Sequence, residues 1–229
     1  MRMSRPAGSP TSGAASRSRW PVPALAAGLL VLTFAIAAGW WPVSLDHRLA
    51  AALPGQHAAG LPSVLLDLAS VITTLATPQA TVPITLVVAA ALAWRDRNAA
   101  ALRIVAVPLM ALTISVLAGK ALLHRPGPAG SHLHHLLGYY PSGHTTTAVV
   151  CTGLLTRLAH AHHLGSRVPL RAAAITWTLL VGTSLVLHRY HWLSDVIAGL
   201  LLGILILHLT RPRQQHAGAA KQPRAGFSH

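Results

Sequence analysis

Ser142, Gly143 and His144 lie in a turn, Tyr140-Pro141-Ser142-Gly143-His144-Thr145, that opens an apolar segment. Pro141 and Gly143 are turn residues, and Ser142 is a good helix N-cap. A helix launched here aims its backbone N–H groups and the positive end of its dipole back at the turn, which favours an anion and phosphate above all. His144 lies within that end, and histidine is the side chain suited to give or take a proton near neutral pH. A Ser-Gly-His turn alone is no more than a helix cap; its neighbours add the chemistry. Lys120 offers phosphate a point charge, and Arg125 offers two parallel hydrogen bonds. His191 and Asp195 are four apart, the spacing that puts two side chains on one helix face. A carboxylate bonded to one imidazole nitrogen fixes the tautomer and leaves the other as a nucleophile. His144 then protonates the leaving oxygen. The set matches metal-free phosphoryl transfer through a phosphohistidine. Plainer roles exist for each residue: Lys120 and Arg125 can snorkel to an interface, and Asp195 can complement a helix dipole.

The elements that must position these residues are membrane helices. The 229-residue chain is 52% hydrophobic and only 10% charged, against about 25% charged in a soluble domain. A net charge of +14 without glutamate suggests nucleic acid, but such proteins cluster their basic residues on one face. Here the basic residues fall in the gaps between apolar runs, where anionic head groups and the positive-inside rule account for them. The expected partners are therefore membrane lipids and not nucleic acid. The single Cys151 lies in an apolar run and excludes an intramolecular disulfide.

Residues 1–20 read as a disordered basic tail, 21–210 as one membrane-embedded domain, and 211–229 as a second basic tail. The apolar runs are Val22–Trp41, Leu61–Thr77, Val82–Trp94, Ile104–Leu123, Thr145–Leu158, Ala172–Leu187 and Leu193–Leu209, with a short amphipathic helix at Leu45–Leu53. The fold class is all-α, a polytopic membrane helix bundle of about six transmembrane helices. With both termini cytoplasmic, all 18 basic residues except Arg48, Lys120, Arg125 and Arg189 lie inside, a strong orientation signal. That bias survives only if Leu61–Thr77 and Val82–Trp94 do not both cross. The first then lies at the interface, or the two form one span broken near Pro78. The arrangement gathers the ends of four spans, carrying Lys120, Ser142–His144, Arg189–His191 and Asp195, at one extracytoplasmic face of a cell membrane.

Three stretches, Lys120-Ala-Leu-Leu-His-Arg125-Pro126, Pro141-Ser142-Gly143-His144 and Ser184…His191-Trp-Leu-Ser-Asp195, resemble the signature motifs of the type 2 phosphatidic acid phosphatase family, in the vanadium haloperoxidase-like superfamily. The likeness runs over roughly residues 22–209. It implies a six-helix membrane fold and hydrolysis of a lipid phosphate or pyrophosphate without cofactor or metal. It further implies His191 as nucleophile, Asp195 as its partner, His144 as general acid, and Lys120, Ser142 and Gly143 as phosphate ligands. The first motif usually ends Arg-Pro where this chain has Gly127-Pro128, and the third begins Ser-Arg where this chain has Ser184-Leu185. Arg125, two residues before Gly127 across Pro126, and Arg189, four after Leu185, are placed to supply the missing charge. The alternative is a catalytically impaired relative that binds lipid phosphate or acts as a membrane scaffold.

Other features are bland. His132, His134 and His135 could bind zinc with His124, but no cysteine or second carboxylate completes a ligand set. Gly199-x-x-x-Gly203 could form a homodimer face, though packing within the bundle explains it as well. The topology is checked by labelling single cysteines in intact cells with an impermeant thiol reagent: His132→Cys should react and Ser166→Cys should not, and the reverse pattern inverts the protein and its site.

Overall fold

The computed structural model describes residues 21–53, 63–128 and 138–211, and every regular element in them is helical: α1 (Pro21–Ala37), α2 (Trp41–Ala52), α3 (Ser63–Leu75), α4 (Pro78–Arg95), α5 (Ala100–Leu123), α6 (Gly143–Ala161), α7 (Arg167–Leu187) and α8 (Leu193–Leu209). The tails at 1–20 and 212–229, and His132, His134 and His135, lie outside the described residues. α5, of 24 residues, and α7, of 21, are each long and apolar enough to cross a membrane, and the bent pairs α1–α2 and α3–α4 reach that measure together. That makes up to four spans by length and composition, against the six expected. α8 is apolar beyond its first turn except for His208, and stops at 17 residues. α6 is diluted by five threonines.

Those threonines explain the position of α6. It packs against α4, α5, α7 and α8, and Thr145–Cys151 are buried as an unbroken run. A hydroxyl inside a bundle needs a partner, and in lipid the helix itself supplies one. Thr146 donates to the carbonyl of Ser142 at 2.7 Å, Thr152 to Ala148 at 2.6 Å and Thr156 to Thr152 at 2.8 Å. Around α6, the apolar core joins Leu154 and Leu158 to Val105, Leu109 and Leu112 of α5 and to Leu202 and Ile206 of α8. The outer surfaces stay apolar: Val107, Met110 and Ile114 of α5 and Ile175 of α7 are exposed, as a lipid-facing helix requires. Trp40 and Trp41 are exposed at the 75° bend between α1 and α2, where aromatic residues anchor to head groups. α3 and α4 meet at Ala76 and Thr77 with a 52° bend. Pro78 begins α4, a position its fixed φ suits. The bent pair fits a broken span or a re-entrant loop, and α3 lies along α7.

The site end of the bundle depends on how closely α8 approaches α6. A Cβ at Gly199 would lie 2.8 Å from the Ser142 carbonyl oxygen, and one at Gly203 would lie 2.7 Å from Val149 Cβ. The small-residue pair is therefore used within the bundle. Gly203→Ala forces a methyl into packed Val149 and should destabilise by about 1–3 kcal/mol. Gly28→Ala, whose methyl meets nothing nearer than 3.9 Å, should be near neutral. Thermal unfolding of the purified variants in detergent separates them.

Candidate active site

The site is built around Arg125. His124, in the left-handed region at φ 45°, ends α5 and turns the chain inward. The Arg125 guanidinium is buried, 8% exposed, between two buried carboxylates. Its Nη1 donates to Asp195 Oδ1 at 2.5 Å and Ser194 Oγ at 2.7 Å, and its Nη2 to Asp46 Oδ2 at 2.7 Å. Asp46 comes from α2 and also accepts the Ser194 backbone N–H at 3.0 Å and the Ser194 hydroxyl. Trp192 closes the cluster: Arg125 Cζ stands 5.6 Å from its ring, and its indole N–H donates to the Pro126 carbonyl at 2.8 Å. Arg125 was expected to grip phosphate; its terminal nitrogens are here engaged by acidic and hydroxyl groups.

His191 and Asp195 do meet, with Nδ1 and Oδ2 3.4 Å apart, but not as two residues of one helix face. α8 begins at Leu193, so His191 precedes its N-cap Trp192. Asp195 reaches back from the first turn, and its Oδ2 also accepts the Trp192 N–H at 3.3 Å, the reach-back half of a capping box. An Nδ1–H pointing at this carboxylate puts the imidazole lone pair on Nε2. Both side chains are almost wholly buried.

α6 starts opposite. Ser142 is its N-cap as expected, accepting from Thr145 N at 3.4 Å and Thr145 Oγ1 at 3.1 Å, and its own N–H donates to the Asp195 carbonyl at 3.0 Å. That last bond ties the α6 turn to α8. Gly143 and His144 form the first turn, and the His144 ring centre is 6.5 Å from that of His191. Lys120, in the last turn of α5, is buried and gives one hydrogen bond to the Gly138 carbonyl at 2.8 Å, leaving donor capacity on its ammonium. Tyr140, joined to Pro141 by a cis peptide bond, secures the turn to α1. Thr33 spends its proton on the Leu29 carbonyl, so Tyr140 donates to Thr33 Oγ1 at 2.6 Å. Burial pushes the Tyr140 phenol above its ordinary value and keeps it a donor.

Arg189 differs from its expected geometry. α7 ends at Leu187, and Arg189 has φ 53°, so it shares no helix face with Leu185. Its Nη2 donates to the Leu53 carbonyl at the end of α2, and it lines the same narrow cavity as His191 and Asp46. The two positions that lack arginine are filled otherwise. Leu185 is fully buried among Ala76, Ala148, Val181 and Val196. A Cβ at Gly127 would lie 2.4 Å from Tyr139 Cζ, and the Tyr139 ring packs edge to face on His191 with centres 5.6 Å apart.

Asp46, Ser194, Trp192 and Tyr139 were missed by the sequence reading. Asp46 had a usable signal: an ionisable residue in a sparsely charged membrane chain is a site candidate on its own. Tyr139 had none, because its partner Gly127 is recognisable only in space. Among the described residues no group of three or more His, Cys, Asp or Glu side chains is placed to hold a metal ion.

Comparison with known proteins adds a family. The model of the PAP2 superfamily matches residues 104–218. A lipid A 1-phosphatase of Porphyromonas gingivalis is 38% identical over 90 residues, which are 39% of this chain and 18% of that protein. The chain thus spans less than a fifth of that relative. The crystal structure of a transmembrane PAP2-type phosphatidylglycerolphosphate phosphatase from Bacillus subtilis superposes with a TM-score of 0.66 at 22% identity, covering 83% of this chain and 93% of that one. LpxE of Aquifex aeolicus gives 0.52 at 19% identity, covering 73% and 93%. Both support the fold. Asp46 lies outside the matched segment.

Breaking a buried ion pair by removing one partner costs about 3–5 kcal/mol, because the other charge is left buried. Asp46→Ala should therefore lower stability by that amount in denaturant unfolding. Asp67→Ala, at an exposed position on α3, should stay within about 0.5 kcal/mol.

Proposed function

The chain belongs to the PAP2 superfamily, and from that premise we propose that it hydrolyses a lipid phosphate or pyrophosphate through a phosphohistidine. The reaction runs without a metal, at the extracytoplasmic face of the membrane, with both termini in the cytoplasm. The supporting observation is the buried His191–Asp195 pair facing His144 across the N-terminal end of α6. Nε2 of His191 attacks phosphorus and the bond to the lipid oxygen breaks. His144 gives its proton to that oxygen, then takes one from the water that cleaves the P–N bond and releases phosphate. Lys120, the Ser142–Gly143 end of α6 and the charge of Arg125 and Arg189 hold the transferring group. Arg125 also holds Asp195 in place beside His191 through its bond to Oδ1.

The relatives' names favour phosphate on a large lipid, such as a phosphatidylglycerol phosphate or a lipid A, over a soluble ester. Phosphatidate and polyprenyl pyrophosphate belong to the same chemical class. One observation favours a second reading, a lipid-phosphate binder or scaffold with impaired catalysis: Tyr139 and an apolar cluster occupy the places of the two missing arginines. Phosphate release by the purified protein from a panel of lipid phosphates in EDTA decides between them.

His191→Ala should abolish turnover. His144→Ala should lose about 10²–10⁴-fold, and less on substrates with good leaving groups. Near-normal turnover by His191→Ala contradicts the mechanism. Arg125→Lys and Arg189→Lys should each lose roughly ten- to a hundredfold in kcat/KM, with Arg48→Lys unchanged; three unchanged variants remove the arginines from the phosphate site.

A further inference from the structure

A second cavity lies at the end of the bundle away from His191. It measures about 530 Å³ and opens between α6, α7 and α8, within the usual range for a ligand site. α7 and α8 touch where Gly182 meets Val196, and the cavity occupies the space between them further on. Each helix turns a graded stripe towards it. On α7 the stripe runs from Thr178 and Ile175 to Arg171 and Arg167; on α8 it runs from Leu200 and Ile204 to His208, with Arg211 just past the helix end. The helical spacings of three or four residues keep one helix face. Both stripes are apolar towards mid-bundle and basic at the end. α6 adds Arg157, whose Nη2 donates to the Leu207 carbonyl while its Nη1 is buried with no partner.

Four guanidinium groups around one opening repel one another, and a buried N–H without an acceptor carries a desolvation cost. Among the described residues no carboxylate lines the cavity. Asp96, in the α4–α5 connection, is held by Arg95 and His162, each at 3.0 Å. The chain's tails offer nothing complementary either: residues 1–20 and 212–229 contain no acidic side chain and add further arginine and lysine. An apolar trough with a cationic mouth fits one kind of membrane component. We propose that this cavity binds an anionic phospholipid of the leaflet opposite His191, with the head-group phosphate among Arg157, Arg171 and Arg211 and an acyl chain along Ile175, Leu200 and Ile204. Basic pockets between membrane helices take such head groups.

The site also communicates with the catalytic end. Thr178, Leu179 and Leu200 line both this cavity and an apolar crevice of about 280 Å³ that continues along α7 and α8 to Val186 and Leu193, which border the narrow cavity beside His191. A lipid seated there braces the two helices that carry Arg189, His191 and Asp195 at their other ends, and so stabilises the folded protein.

The test reads binding, not turnover. The full chain is delipidated in a neutral detergent, and its thermal unfolding is followed during titration with phosphatidylglycerol, with phosphatidylcholine of the same acyl chains, and with inorganic phosphate. The expected result is a saturable rise in Tm with phosphatidylglycerol alone. Arg171→Gln combined with Arg211→Gln, both at exposed positions that leave the core intact, should weaken the apparent affinity roughly ten- to thirtyfold. Arg95→Gln with Arg103→Gln, the same charge change outside the cavity, should leave it unchanged. An equal rise with phosphatidylcholine, a matching rise with inorganic phosphate, or full retention of the effect in the Arg171/Arg211 variant overturns the proposal.

Discussion

A buried guanidinium between two buried carboxylates is the contact on which the site end of this molecule rests. Asp46, Arg125 and Asp195 come from α2, the segment after α5 and the first turn of α8, and each is almost sealed from solvent. Their mutual attraction in a medium of low polarity is large, and so is the cost of having desolvated them. The cluster is therefore a poor source of net stability and a strong source of position. Moving any one of the three segments a chemical bond's length away leaves an unpaired charge. The register of α2 and the end of α5 against α8 is fixed in this way. His191, one residue before the N-cap of α8, is then held by the Asp195 oxygen that Arg125 does not take.

The second constraint is packing. α6 must bring its N-terminal N–H groups to the same point, and the absence of a side chain at Gly199 permits it, since the Ser142 carbonyl occupies the space a Cβ would need. The Ser142 N–H then bonds the Asp195 backbone carbonyl, so one hydrogen bond joins the anion-attracting end of α6 to the residue whose carboxylate stands behind His191. Lys120 reaches over from α5 through the Gly138 carbonyl. The helices thus have distinct duties. α6 supplies the dipole, α8 the carboxylate that holds His191, and α2 and the segment after α5 the charges around it.

Much of this was legible in the chain. The run Leu193–Leu209 matches α8 residue for residue, because the apolar stretch from Val196 to Leu207, between an acidic first turn and a Thr-Arg-Pro end, leaves little choice. Ser142 is an N-cap in sequence and structure for the same local reason. What was not legible involves backbone reversals and long separations. Arg189 was assigned to a helix face, but α7 stops two residues earlier and Arg189 turns through the left-handed region, which no side-chain pattern announces. Asp46 finds Ser194 across 148 positions. Tyr139 fills the space beside Gly127, a pairing of residues twelve apart that no local pattern announces.

The central claim is that the buried acid cluster presents His191 as the acceptor of a phosphoryl group. The most direct measurement is rapid quenching of the purified protein during turnover of a radiolabelled lipid phosphate, followed by mapping of any labelled side chain. The account predicts a transient label on His191 and on no other residue. Turnover with no labelled protein at any time point, or label carried by a different side chain, would contradict it.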